Sequence, residues 1–188
     1  MKKQLLVFAL ALLTSSSLLA QTFEVLLPAS ISDKPLDGRL LLLLSTATSG
    51  EPRFQISDDE GTQQVFGVDV DQWQPGTLKK IDAKAFGYPV ETLKKIEKGT
   101  YRVQVVLHIY ETFKRKDGHV VKLPMDRGEG QHWNIAPGNL YSAVKSISYS
   151  SDAGFTSSLT LDQRIPPIKE PEDTKYVKHI KIQSKLLT

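Results

Sequence analysis

From Ile96 to Phe113 the chain reads IEKGTYRVQVVLHIYETF, and its apolar positions recur at every second residue. Tyr101, Val103, Val105, Leu107, Ile109 and Phe113 share one face of an extended chain; Arg102, Gln104, His108 and Thr112 share the other. A helix would repeat at three and four, so this spacing predicts a long, half-buried strand. Gly99 supplies the permissive backbone just before it.

Shorter patterns surround this stretch. Phe23, Val25 and Leu27 alternate with Thr22, Glu24 and Leu26 in a first strand that Pro28 ends. Ser30 to Gly38 is turn material, and the leucine run Leu40 to Leu44 reads as a central strand buried on both faces. Phe54 and Ile56 predict a short strand, and Val65 to Val70 the next. Leu78 to Asp82 is a lysine-bearing edge strand, since lysines at an edge discourage sheet-to-sheet pairing. Phe86 to Pro89 and Val90 to Lys98 form a crossover with one helical turn at Glu91 to Ile96. Lys114 to Gly118 is a charged hairpin tip that returns as His119 to Leu123. Strands resume at Ser142 to Tyr149 and Phe155 to Asp162, with Asp152 to Gly154 as the turn between them. Many short strands, no repeat and no long helix predict an all-β sandwich.

The order Ile96, Gly99, Tyr101 resembles the tyrosine corner of Greek-key sandwiches, in which a Tyr opening a central strand ties back to the preceding connection. The expected fold is therefore an immunoglobulin- or fibronectin-III-like β-sandwich of roughly 7–9 strands over residues 21–164.

Composition adds an address. Lys2 and Lys3, the apolar run Leu5 to Leu13 and the small, polar stretch Thr14 to Ala20 have the form of a secretory signal peptide, residues 1–20, cleaved after Ala20 or after Ser17. The apolar run is shorter than a membrane span. With no cysteine the mature end has no thiol to lipidate, and the domain has no disulfides despite an oxidising destination. The expectation is an exported protein, periplasmic or extracellular, with no membrane anchor. Removing Lys2 and Lys3 takes the net charge from +3 to +1, 22 basic against 21 acidic residues. Such a balance gives no electrostatic footprint for nucleic acid.

Residues 165–175, with three prolines and alternating charge, read as a stiff linker, and 176–188 as the start of a truncated downstream domain whose first strand is Tyr176 to Gln183.

Candidate chemistry is sparse. There is no G-x-S-x-G nucleophile turn and no phosphate loop, and His108, His119, His132 and His179 are scattered rather than clustered as metal ligands. No catalytic residue, cofactor site or metal site is expected. Asp69, Asp71 and Trp73 read as a strand end with solvated acids rather than a calcium loop. The longest irregular stretch, Pro124 to Tyr141, brings together Asp126, Arg127, Glu129, His132 and Trp133, and loops of this length are often binding loops. Arg and Trp are favoured interface anchors. The weightier alternative is a loop pinned by Trp133 in the core, with the Asp126–Arg127 region bonding backbone.

The segments SISDKPLDGRLLLLLST, GEPRFQISD, TQQVFGVDVDQW, AFGYPVETL, KLPMDRGEGQHWNIAPGNLYS and DTKYVKHIKIQSKLLT resemble the N-terminal region of secreted bacterial esterases. Those proteins join a leading β-sandwich to an α/β-hydrolase domain of the enterochelin-esterase-like kind. The resemblance implies a non-catalytic accessory domain whose partner is a hydrolase domain in cis, with the nucleophile and its partners downstream of the matching residues. The other expectation is a stand-alone exported module that binds a carbohydrate or a protein.

Overall fold

The strand β6 (Gly99–Lys114) is the spine of the computed structural model, which describes residues 21–150 and 155–186. The expected signal peptide and the expected turn at 152–154 lie outside the described residues. Along one edge of β6 runs β2 (Leu36–Ser45), antiparallel, from the Asp37–Tyr110 pair to Ser45–Arg102. Three short strands share the other edge in succession. β9 (Lys145–Tyr149) pairs with Gly99–Val103, β8 (Leu140–Tyr141) with Val106–Leu107, and β7 (Val120–Leu123) with Glu111–Lys114. Beyond β2 come β3 (Gln64–Trp73) and then β5 (Phe86–Tyr88), and β11 (Gln163–Arg164) pairs with β8.

A second sheet of three strands has β1 (Gln21–Leu26) between β10 (Phe155–Thr160) and β4 (Leu78–Ile81). β1 is parallel to β10 and antiparallel to β4, so the lysine-bearing strand does lie at an edge.

The two sheets enclose one core. Phe23, Val25, Ile81 and Leu159 of the small sheet join Leu40, Leu42, Leu44, Phe66, Val103, Val105 and Leu107 of the large one. Alternation along β2 and β6 puts Leu43 and Val106 on the opposite face, yet both are 0% exposed. The middle of the large sheet is therefore covered on both sides, as the leucine run predicted. Gln104, expected to face solvent, is buried there as well.

The corner around Tyr101 is tied as its sequence implied. Its hydroxyl donates to the Glu97 carbonyl at 2.9 Å, and its ring meets the edge of Tyr149 at 6.1 Å. Tyr149 in turn donates to the Leu93 carbonyl at 2.8 Å, at the 3-10 turn Leu93–Lys95.

Several expectations need correction. The described residues hold eleven strands rather than 7–9, because β5, β8 and β11 have only three, two and two residues. Runs that short carry no readable period. Phe54 and Ile56 form no strand: Pro52 opens a 3-10 turn (Pro52–Phe54), having no N–H to give a ladder. Tyr176 to Gln183 is not a strand either. Tyr176, Ile180 and Ile182 are 84%, 80% and 87% exposed, and the Val177 and His179 N–H groups bond the side chains of Thr174 and Asp173 rather than a neighbouring strand. Finally, contacts of the sandwich run past residue 164. Ile165 is buried, its N–H donates to the Asn139 carbonyl at 2.8 Å, and its carbonyl accepts from Gly138 N–H at 2.9 Å.

Candidate functional site

The segment between β7 and β8 is the loop that the sequence singled out, and its polar side chains bond the loop itself. Asp126 Oδ1 accepts from the Gly128 N–H at 2.8 Å and the Gly130 N–H at 3.3 Å. Glu129, 6% exposed, accepts from the Arg127 N–H at 2.7 Å. The Arg127 guanidinium donates to the Pro137 carbonyl at 2.7 Å and to Glu111 Oε1 of β6, also at 2.7 Å. All but the Arg127–Glu111 pair satisfy a backbone group that an irregular segment would otherwise leave open.

His132 and Trp133 are placed differently from these three. His132 is exposed, and Trp133 is half-buried and outside the core. The expectation that Trp133 pins the loop is therefore corrected; the core tryptophan is Trp73, 5% exposed at the end of β3. The pin is Asn139, which the sequence reading missed. Its Nδ2 donates to the Trp133 carbonyl at 2.8 Å, and its Oδ1 accepts from the Ile109 N–H of β6 at 3.0 Å. The turn signal Pro137-Gly138-Asn139 was its only sequence trace.

Beneath the loop, on the outer face of the large sheet, lies a second polar cluster absent from the sequence reading. Arg53 bonds Glu51 Oε2 at 2.7 Å and the Asn134 carbonyl at 2.8 Å, and its guanidinium lies over Phe54 and Tyr141 at 4.4 and 4.3 Å from their centroids. Gln104 donates to Glu51 at 2.8 Å and to the Ser142 carbonyl at 3.1 Å. Burial alone would push the Glu51 carboxyl up; the hydrogen bonds from Arg53 and Gln104 outweigh it and leave the group below its ordinary range. This is a braced, paired cluster that fixes the loop to the sheet.

His108 sits half-buried on the same outer face. Burial pushes its pKa down, and the charge of Glu129 opposes that without reversing it. Further along this face, Phe86 and Tyr88 of β5 are 69% and 45% exposed beside Leu41 and Val65, around a shallow cavity of about 150 Å³. In the sequence FGYP reads as part of a crossover, so this aromatic patch is not legible there.

Catalytic groupings do not assemble among the described residues. His119 and His179 face Asp117 and Asp173 at 3.2 and 3.7 Å within their own turns. Asp69 pairs with Arg39 at 2.7 Å and Asp71 with Lys122, and no group of His, Asp and Glu has the arrangement of a metal site among those residues. No family model, no curated protein and no solved structure matches the chain.

Proposed function

We propose that the chain is a non-catalytic, immunoglobulin-like accessory domain of an exported esterase-like hydrolase, and that the 124–141 loop docks against the catalytic domain or shapes its substrate entrance. One observation carries this reading: Asp126, Arg127 and Glu129 hold the loop's own shape, while Met125 and Ile135 stay 39% and 42% exposed and His132 points outward. A loop so built displays a fixed surface. The tie from Tyr101 to the Glu97 carbonyl supports the immunoglobulin-like assignment. The hydrolase connection and the export rest on the resemblance and on the N-terminal pattern.

A stand-alone binding module is the second reading, and the exposed Phe86 and Tyr88 rings favour it, because flat rings on a sheet face can stack on a sugar or a partner side chain. The test is hydrolysis of 4-nitrophenyl acetate and butyrate by the purified chain. The expected rate is that of buffer. Saturable turnover that follows the protein through purification and disappears in His108→Ala or His132→Ala would overturn the non-catalytic reading.

A further inference from the structure

Where the 124–141 loop meets residues 165–168, a cavity of about 310 Å³ opens. Ligand cavities begin at about this size; the two others described, about 170 and 150 Å³, are smaller. Pro137, Ile165, Pro167 and Ile168 form its apolar wall, and Arg127 and Arg164 line its rim. The wall is built from both sides, since a Cβ on Gly128 of the loop would lie 3.4 Å from the Ile168 side chain.

The two arginines hold adjacent carbonyls. Arg127 donates to Pro137 and Arg164 to Gly138, at 2.7 and 2.9 Å, and Arg164 also donates to the Ile31 carbonyl at 2.7 Å. Arg127 shares its charge with Glu111, but no carboxylate lies within 4.0 Å of Arg164 among the described residues. A guanidinium has five N–H donors, and each of these side chains uses two in the bonds just described. The rim therefore keeps an excess positive charge and open donors, in a fork geometry that matches a carboxylate.

We propose that this cavity binds a small carboxylic acid, its carboxylate on Arg127 and Arg164 and its apolar body against Ile165, Pro167 and Ile168. Its modest volume takes one ring or a short chain rather than a peptide. The proposal is independent of whether a hydrolase domain accompanies the chain.

The test is an NMR titration of the chain with sodium phenylacetate, following the Gly138 amide and the arginine Nε signals. Phenylacetamide, the neutral analogue, and sodium acetate, which lacks the apolar body, are the controls. Saturable shifts are expected with phenylacetate, with binding at least about tenfold weaker for either control, as loss of a charge-assisted bond or of the apolar contact implies. Arg164→Gln should abolish the shifts. Ile168→Trp, which fills the cavity from its exposed side and leaves both arginines in place, should do the same. Absence of saturation, equal response to either control, or binding that survives Ile168→Trp would overturn the proposal.

Discussion

Replacing Tyr149 by Phe removes one hydroxyl from the most tightly closed part of the sandwich. Tyr149 is 1% exposed, and its hydroxyl donates to the carbonyl of Leu93, whose side chain is 0% exposed. The substitution keeps the ring and its edge contact with Tyr101, and it leaves the Leu93 carbonyl with its other donor, the Ile96 N–H at 3.2 Å. Losing one of that carbonyl's two hydrogen bonds costs about 0.5–1.5 kcal/mol, which for a chain of this size lowers the melting temperature by about 2–4 °C per kcal/mol.

A pH dependence accompanies it. Burial, and then the charge of Tyr101, push the Tyr149 phenol up from 10.0 to about 12. The unfolded phenol ionises first, so the stabilising effect is fully present below pH 10 and is lost as pH rises towards 12. At about 1.4 kcal/mol per unit, that loss is at most about 2–3 kcal/mol. Guanidinium unfolding of both proteins between pH 8 and 11.5 is the assay. The parent should be the more stable at pH 8, and the gap should close as pH rises, because Tyr149→Phe lacks the titrating group. Lys122, whose pKa is raised by its bonds to Asp71 and Asp37, loses its contribution equally in both proteins and cancels. Parallel curves above pH 10, or equal stability at pH 8, would refute the argument.

Other outcomes follow from contacts of different kinds. A Cβ at Gly87 would lie 2.3 Å from the Phe66 ring and 2.5 Å from the Val90 carbonyl, so Gly87→Ala should destabilise by about 1–3 kcal/mol in chemical denaturation. At Gly67 the nearest atoms belong to the flexible Arg39 side chain, at 2.6 Å, and Gly67→Ala should cost under about 1 kcal/mol, the worth of the exposed Arg39–Asp69 pair it displaces. Asn139→Ala, which strands the Ile109 N–H, should cost about 1–3 kcal/mol, whereas Trp133→Ala should keep cooperative unfolding because the core does not contain that ring. The His108 midpoint by NMR should lie below that of free histidine and fall further in Glu129→Gln, which removes the opposing charge; an unmoved midpoint would separate the two residues. Since the fold favours neutral His108, this group lowers stability as pH drops through the range where unfolded histidine protonates.

What the sequence made legible was whatever a two-residue period can carry. Tyr101 to Leu107 and Leu40 to Leu44 were long enough to show their faces, and Asp117-Gly118 marked the β6–β7 hairpin, where Gly118 N–H bonds the Arg115 carbonyl at 3.0 Å. Hidden were features set by partners far along the chain. Gln104 sits at a polar position of its strand, yet Glu51 and Ser142, 53 and 38 residues away, bury it. Tyr176 to Gln183 differs in the opposite sense: among the described residues no strand pairs with it. Within the candidate loop the residues Asp126, Arg127 and Glu129 were legible as a group, but their roles were not. Those roles depend on which backbone groups the loop path leaves open, and Asn139, the residue that fixes this path, is an ordinary turn former by composition.

The accessory-domain account is tested most directly by the size of the native gene product, read by immunoblot with an antibody raised against residues 21–164. The account predicts a band several hundred residues larger than the mature chain, carrying ester-hydrolysing activity when captured by that antibody. A stable band at the mass of the mature chain alone, with no hydrolase captured beside it, would contradict it.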